Sequence, residues 1–92
     1  MSVQVRIPTI LRTYTGGASE VSASGETLRV VLDDLEANHP GIRARILDEQ
    51  GQLRRFVNVY VGNDDVRFLD DLDTPTPAGS QVSVIPAVAG GA

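Results

Sequence analysis

The chain opens on an alternation of apolar and polar positions. Val3, Val5 and Ile7 alternate with Ser2, Gln4 and Arg6, a period of two that predicts a strand with one buried face. Pro8 ends or edges this strand, because proline has no N–H for a ladder. Ile10 and Leu11 continue apolar, and Thr13 to Gly17 reads as a loop. Gly16-Gly17 supplies positive φ at low cost there. Glu20 to Ala23 forms a second alternating segment, so the two strands read as an antiparallel hairpin with a long connection.

The period then changes. Leu28, Val31, Leu32 and Leu35 fall at i, i+3, i+4 and i+7, a single apolar stripe and the strongest helical signal in the chain. Ser24-Gly25-Glu26-Thr27 opens this helix with two capping hydroxyls and an acidic residue, which suit its positive end. Arg29, Asp33, Asp34 and Glu36 take the solvent side, and Asn38-His39-Pro40-Gly41 stops it. Ile42 and Ile46 predict one more helical turn on the same core, and Asp48 to Gly51 a turn. Phe56 to Val61 is β-rich and almost continuously apolar, which predicts a central strand with Val57, Val59 and Val61 on one face. Gly62 to Asp65 reads as a tight turn, Val66-Arg67-Phe68 as a short strand, and Asp70 to Gly79 as a loop with two prolines. Val82, Val84 and Ile85 form the last strand, which Pro86 breaks.

The predicted order is therefore β-β-α-β-β-β, an α+β chain whose one amphipathic helix must lay its stripe on a sheet. A right-handed crossover makes the first and last strands parallel neighbours at the sheet's centre. That is the β-grasp, or ubiquitin-like, arrangement. It divides the chain into a domain over 1–86 and a flexible tail over 87–92.

Composition narrows the chemistry. At 92 residues the chain holds one domain, and with no cysteine it has no disulfide, thiolate metal site or Cys nucleophile. The lone His39 reads as a polar residue at a helix end, with no second imidazole to share a metal. A net charge of −4, a pI near 4.7 and no Trp argue against a nucleic-acid binder. No apolar run is long enough for a membrane span, and no charged-then-apolar leader opens the chain. A soluble, cytoplasmic chain is the expectation. Asp64-Asp65 and Asp70-Asp71-Asp73 lack the spacing of a calcium loop and read as solvated. Arg43, Arg45, Arg54 and Arg55 form a local basic patch, most simply a solvated face. All eight basic residues are Arg, so there is no side-chain amine.

The ending is the exception. Ala87-Val88-Ala89-Gly90-Gly91-Ala92 carries no side-chain charge. Residues this small build no core but can thread a narrow channel, and Gly-Gly permits close backbone approach. A carboxylate on such a lead reaches into another protein's active site. ATP can turn it into a mixed anhydride, from which a sulfur nucleophile displaces AMP.

Several segments make the sequence familiar: Ile7-Pro8-Thr9-Ile10-Leu11-Arg12, Ser22-Ala23-Ser24-Gly25 with Leu28, and Asp34-Leu35-Glu36-Ala37-Asn38. Arg55-Phe56-Val57-Asn58, Asp65-Val66-Arg67-Phe68 and Ile85-Pro86-Ala87-Val88-Ala89-Gly90-Gly91 complete the set. With these, the chain resembles the MoaD/ThiS family of ubiquitin-like sulfur carriers, and within it the CysO-type carriers of actinobacterial cysteine biosynthesis. The resemblance implies a protein cosubstrate rather than an enzyme. An E1-like enzyme adenylates and sulfurates the carboxylate of Gly91, and a PLP-dependent cysteine synthase receives the sulfur. ATP, PLP and zinc then belong to partners, and this chain binds no cofactor. The family's reactive terminus is a free Gly-Gly carboxylate, whereas here Ala92 follows Gly91. The resemblance implies that a JAMM-type zinc metalloprotease cuts between Gly91 and Ala92. Two alternatives stay open: a carrier for molybdopterin or thiamin synthesis, and a ubiquitin-like modifier or interaction module. A monomer suits a shuttle, and exposed apolar residues on the last strand and the short strand before it, such as Phe68, are candidates for the partner surface.

Overall fold

The first strand behaves as its alternation predicts. In the computed structural model, which describes residues 2–86, β1 (Ser2–Arg6) buries Val3 and Val5 and exposes Ser2, Gln4 and Arg6. The chain then bends through a 3₁₀ turn, Thr9–Thr15, into the antiparallel strand β2 (Glu20–Ser24). The predicted loop over Thr13 to Gly17 is therefore mostly a helical turn. A period of about three residues lets it bury Leu11 and Thr15 while turning Ile10 outward. The buried Thr15 hydroxyl donates to the Ala18 carbonyl at 2.8 Å.

The helical stripe forms α1 (Leu28–Asn38), with Leu28, Val31, Leu32 and Leu35 all buried. Each such burial contributes about 1.5–3 kcal/mol. Thr27 is the cap, its hydroxyl accepting from the Val30 N–H. Ser24 does not cap the helix; it ends β2, and its N–H donates to Asp34 Oδ2 at 2.8 Å. His39 closes α1, as the helix-end reading requires. Ile42 and Ile46 flank and end a second short helix, α2 (Arg43–Ile46), and both are fully buried.

The turn from α1 into α2 hangs on Glu36. Its carboxylate accepts the N–H groups of Gly41 and Arg43, each at 2.9 Å. These two bonds, the Gly41 one first, pull its pKa below the ordinary 4.5, and the Arg43 charge adds to them. Because the folded pKa is the lower one, the stabilisation is present above the ordinary value. It is lost as pH falls through the folded value. Urea midpoints of the wild type and Glu36→Gln are therefore expected to differ at neutral pH and to converge below pH 4.5. A constant gap across that range would show that Glu36 does not carry the acid sensitivity.

β3 (Val57–Val61) pairs antiparallel with β4 (Asp64–Asp65) across a turn at Gly62-Asn63. Asp64 and Asp65 are thus strand residues, not turn residues. The predicted strand over Val66-Arg67-Phe68 is instead a 3₁₀ turn. Asp65 Oδ1 accepts the Arg67 N–H at 2.9 Å, which bends the chain back before a ladder can extend. A further 3₁₀ turn, Asp71–Asp73, buries Leu72 inside the predicted loop. Thr74 and Thr76 are buried beyond it. The Thr76 hydroxyl donates to the Gly25 carbonyl at 2.9 Å, and Leu28 N–H donates to the Thr74 carbonyl at 3.0 Å. This segment is therefore clamped to the start of α1.

β5 (Gln81–Pro86) runs parallel to β1 and antiparallel to β3. The sheet order is β2-β1-β5-β3-β4, so β1 and β5 are central, as the crossover argument requires. β3 is not central: its outer neighbour is only the two-residue β4. Its apolarity comes from Val57 and Val59 facing the core, while Phe56 before it is exposed.

Candidate functional site

The expected reactive segment, Ala87, Val88, Ala89, Gly90, Gly91 and Ala92, lies outside the described residues. What the fold defines is its root. β5 ends at Pro86, in the centre of the sheet. Because β1 and β5 are parallel, the end of β1 and the 3₁₀ turn after it lie beside this exit.

On that side an open apolar groove forms, floored by Ile7, Pro8, Ile10, Ile85 and Pro86 and bordered by Arg6 and Arg12. Ile10 is 67% exposed and Ile85 47%, so neither is used by the core. Ile85 points outward because Val82 and Val84 occupy the inward positions of β5. The 3₁₀ turn turns Ile10 outward in the same way, with Leu11 as the buried neighbour. Arg12 Nε donates to the Ile7 carbonyl at 3.1 Å, which holds its guanidinium over the end of β1.

On the other side, Val57 faces Pro86 and Asn58 faces Ile85. Arg67 reaches across to this point: Nη1 donates to Asn58 Oδ1 at 2.8 Å and Nη2 to the Arg54 carbonyl at 2.6 Å. The next residue, Phe68, is 87% exposed. It sits on a 3₁₀ turn rather than a strand. Ile85 is an exposed apolar residue of the last strand, the kind that the sequence reading made a candidate; that reading missed Ile10, Arg6 and Arg12. The signal available was two adjacent apolar residues, Ile10 and Leu11, in a segment with room to bury only one.

Elsewhere most of the basic patch is held by partners within the chain. Arg43 Nε lies 3.1 Å from Asp33 Oδ1, an ion pair without hydrogen-bond alignment. Arg45 Nε donates to the Tyr14 hydroxyl at 2.7 Å, which raises its already high pKa. Arg54 Nε donates to the Ala44 carbonyl at 2.9 Å. Three of the four arginines in the basic patch therefore have partners in the chain itself. Among the described residues, no group of three His, Cys, Asp or Glu side chains could hold a metal ion. No helix among them is long and apolar enough to cross a membrane.

Comparison with known proteins agrees with this geometry. The sulfur carrier protein CysO of Mycobacterium tuberculosis is 55% identical over 93 residues, covering 99% of this chain and 100% of the relative. CysO in the crystal structure of the Amycolatopsis orientalis BexX/CysO complex superposes with a TM-score of 0.91 at 49% identity, covering 96% of this chain and 98% of that one. The crystal structure of Mycobacterium tuberculosis CysO gives 0.90 at 53% identity, covering 94% and 99%. The pattern of the ThiS family matches residues 5–91, from the first strand through the second glycine of the tail. By that match and those relatives, the chain belongs to the ThiS family.

Proposed function

We infer that this chain is a sulfur carrier for cysteine biosynthesis, a protein cosubstrate that carries sulfur as a thiocarboxylate on Gly91. The observation that carries the reading is its full-length likeness to the CysO sulfur carrier protein of Mycobacterium tuberculosis, 55% identical. The fold supports it by leading the chain through the central strand β5 (Gln81–Pro86) to the residues just before the tail.

The chemistry follows from the carboxylate. Once the Gly91–Ala92 bond is cut by a JAMM-type zinc metalloprotease, a Gly91 carboxylate oxygen attacks the α-phosphorus of ATP on an E1-like enzyme. Pyrophosphate leaves and an acyl adenylate forms. A sulfur nucleophile then displaces AMP, leaving the thiocarboxylate. A PLP-dependent cysteine synthase accepts the sulfur. The carrier works in the cytoplasm as a monomer, and ATP, PLP and zinc stay with its partners. Its own residues contribute the reach of 87–91 and the docking surface at the tail root.

Intact mass of the chain from its native cytoplasm, with and without a sulfur source, tests the reading. Loss of Ala92 together with an oxygen-to-sulfur increment is the expected result. A full-length mass with no sulfur in any condition overturns it.

The docking surface gives a second expected outcome. Ile85→Asp and Ile10→Asp place a charge on the apolar floor while leaving the core untouched. Each is expected to weaken binding to the activating enzyme by about 2 kcal/mol, roughly thirtyfold in Kd. Titration calorimetry reads the loss, with an unchanged melting curve as the control. Equal affinity in both variants would remove this face from the interface.

A further inference from the structure

All eight basic residues of the chain are arginine, and its 92 residues include no lysine and no cysteine. An activated acyl group is captured by amines and thiols. A guanidinium stays protonated above pH 12, roughly, and has no free electron pair to attack with. Unactivated Ser and Thr hydroxyls are weak nucleophiles.

The fold gives this composition a location. Three guanidinium-bearing residues border the tail root. Arg6 stands opposite Ser83 in the β1–β5 register. Arg12 Nε is 3.1 Å from the Ile7 carbonyl. Arg67 Nη1 is 2.8 Å from Asn58 Oδ1, and Asn58 faces Ile85. Residues 87–91 span at most about 17 Å when extended. Ser83 is three residues before Pro86 along the same strand, about 10 Å away. The covalent reach of the Gly91 carbonyl therefore extends past Arg6, opposite Ser83, past Arg12, which lines one groove with Pro86, and past Ile85, opposite the Asn58 that holds Arg67. A lysine in place of any of the three arginines would meet the activated carbon.

We propose that Arg6, Arg12 and Arg67 form a cationic, non-nucleophilic collar that the activated Gly91 acyl group can touch without being captured. This rests on the carrier reading, under which Gly91 is activated. The step avoided is definite. A lysine Nζ would attack the Gly91 carbonyl carbon, the bond to the leaving group would break, an amide would form, and the displaced proton would pass to solvent. With arginine in these places, no side-chain amine captures an activated chain, which is left to water, the partner's nucleophile and the N-terminal amine. The same composition makes a second copy useless as an acceptor, so side-chain isopeptide polymers of this protein do not form.

The test uses a chain ending at Gly91 as a chemical thioester of mercaptoethanesulfonate, with the N-terminal amine acetylated. No partner enzyme or sulfur source takes part, so the outcome is independent of whether the carrier reading holds. Wild type, Arg6→Lys, Arg12→Lys, Arg67→Lys and the distant Arg29→Lys on α1 are held at about pH 9, where a useful fraction of lysine is unprotonated. Intact mass is followed with time, and circular dichroism checks each fold. Wild type and Arg29→Lys are expected to hydrolyse only. The three collar variants are expected to form an internal amide, lighter by one water than the hydrolysed acid. Its rate should equal that produced on the wild type by free lysine at about millimolar concentration, the effective concentration of a short flexible link. The proposal is overturned if the collar variants hydrolyse like the wild type while free lysine captures the wild-type thioester. It is equally overturned if the wild type forms an internal adduct.

Discussion

A chain truncated after Gly91 will accept sulfur from the activating enzyme, and a chain that keeps Ala92 will not. The difference is expected to be complete on the time scale of turnover. Adenylation needs an ionised oxygen to attack phosphorus. A Gly91 carboxylate has two, whereas a Gly91 carbonyl in a peptide bond has none. The Ala92 carboxylate is no substitute. It sits one residue further along and carries a Cβ where the proposed reactive residue is a glycine. The measurement is intact mass after incubation with ATP, a sulfur source and purified activating enzyme, without protease. Adding the metalloprotease should rescue the longer chain. Equal sulfuration of both chains without protease would end the processing model and place the reactive carboxylate elsewhere.

Gly25→Ala will cost about 3 kcal/mol, at the upper end for overpacking. A Cβ at this position would lie 2.6 Å from Val31 N, and 2.9 Å from both Val30 C and Val31 Cγ2. Two of those atoms are backbone of the first turn of α1, so a side-chain rotation cannot relieve the contact. Moving residue 25 instead would strain the bond its carbonyl accepts from the Thr76 hydroxyl at 2.9 Å. For a domain of this size such a loss lowers Tm by about 15 °C. It removes a large share of a total stability of about 5–15 kcal/mol. Urea unfolding with an unchanged m-value should read it. A loss under about 1 kcal/mol would show that the start of α1 yields more easily than its contacts indicate.

Much of the fold could be read along the chain because its signals are periodic and local. The stripe of Leu28, Val31, Leu32 and Leu35 needs only a 3.6-residue repeat, and all four are buried. The parallel pairing of β1 and β5 follows from the handedness of one crossover. The misreadings lie where a single hydrogen bond outweighs strand propensity. The Val66-Arg67-Phe68 segment is apolar enough for a strand, but the Asp65 carboxylate takes the Arg67 N–H and closes a turn. The segment from Asp70 to Gly79 looked like an open loop, yet Leu72, Thr74 and Thr76 are buried in it. Their partners lie up to 51 residues away, beyond any local pattern.

The candidate site divides along the same line. The proposed tail chemistry rests on the order of residues 87–91 alone, small side chains and two glycines that would act by what they lack. Sequence alone also determined that no amine or thiol side chain exists to intercept that chemistry. Only the tertiary structure decided what surrounds the tail root. Ile10 and Leu11 are adjacent and alike, and the 3₁₀ turn buries one and exposes the other. Arg6, Arg12 and Ile85 line one groove, and Arg67 reaches the same strand end through Asn58, which the β3–β5 register sets opposite Ile85. Register is set by the burial of opposite faces across the whole sheet, a cooperative balance that no single segment of the chain contains.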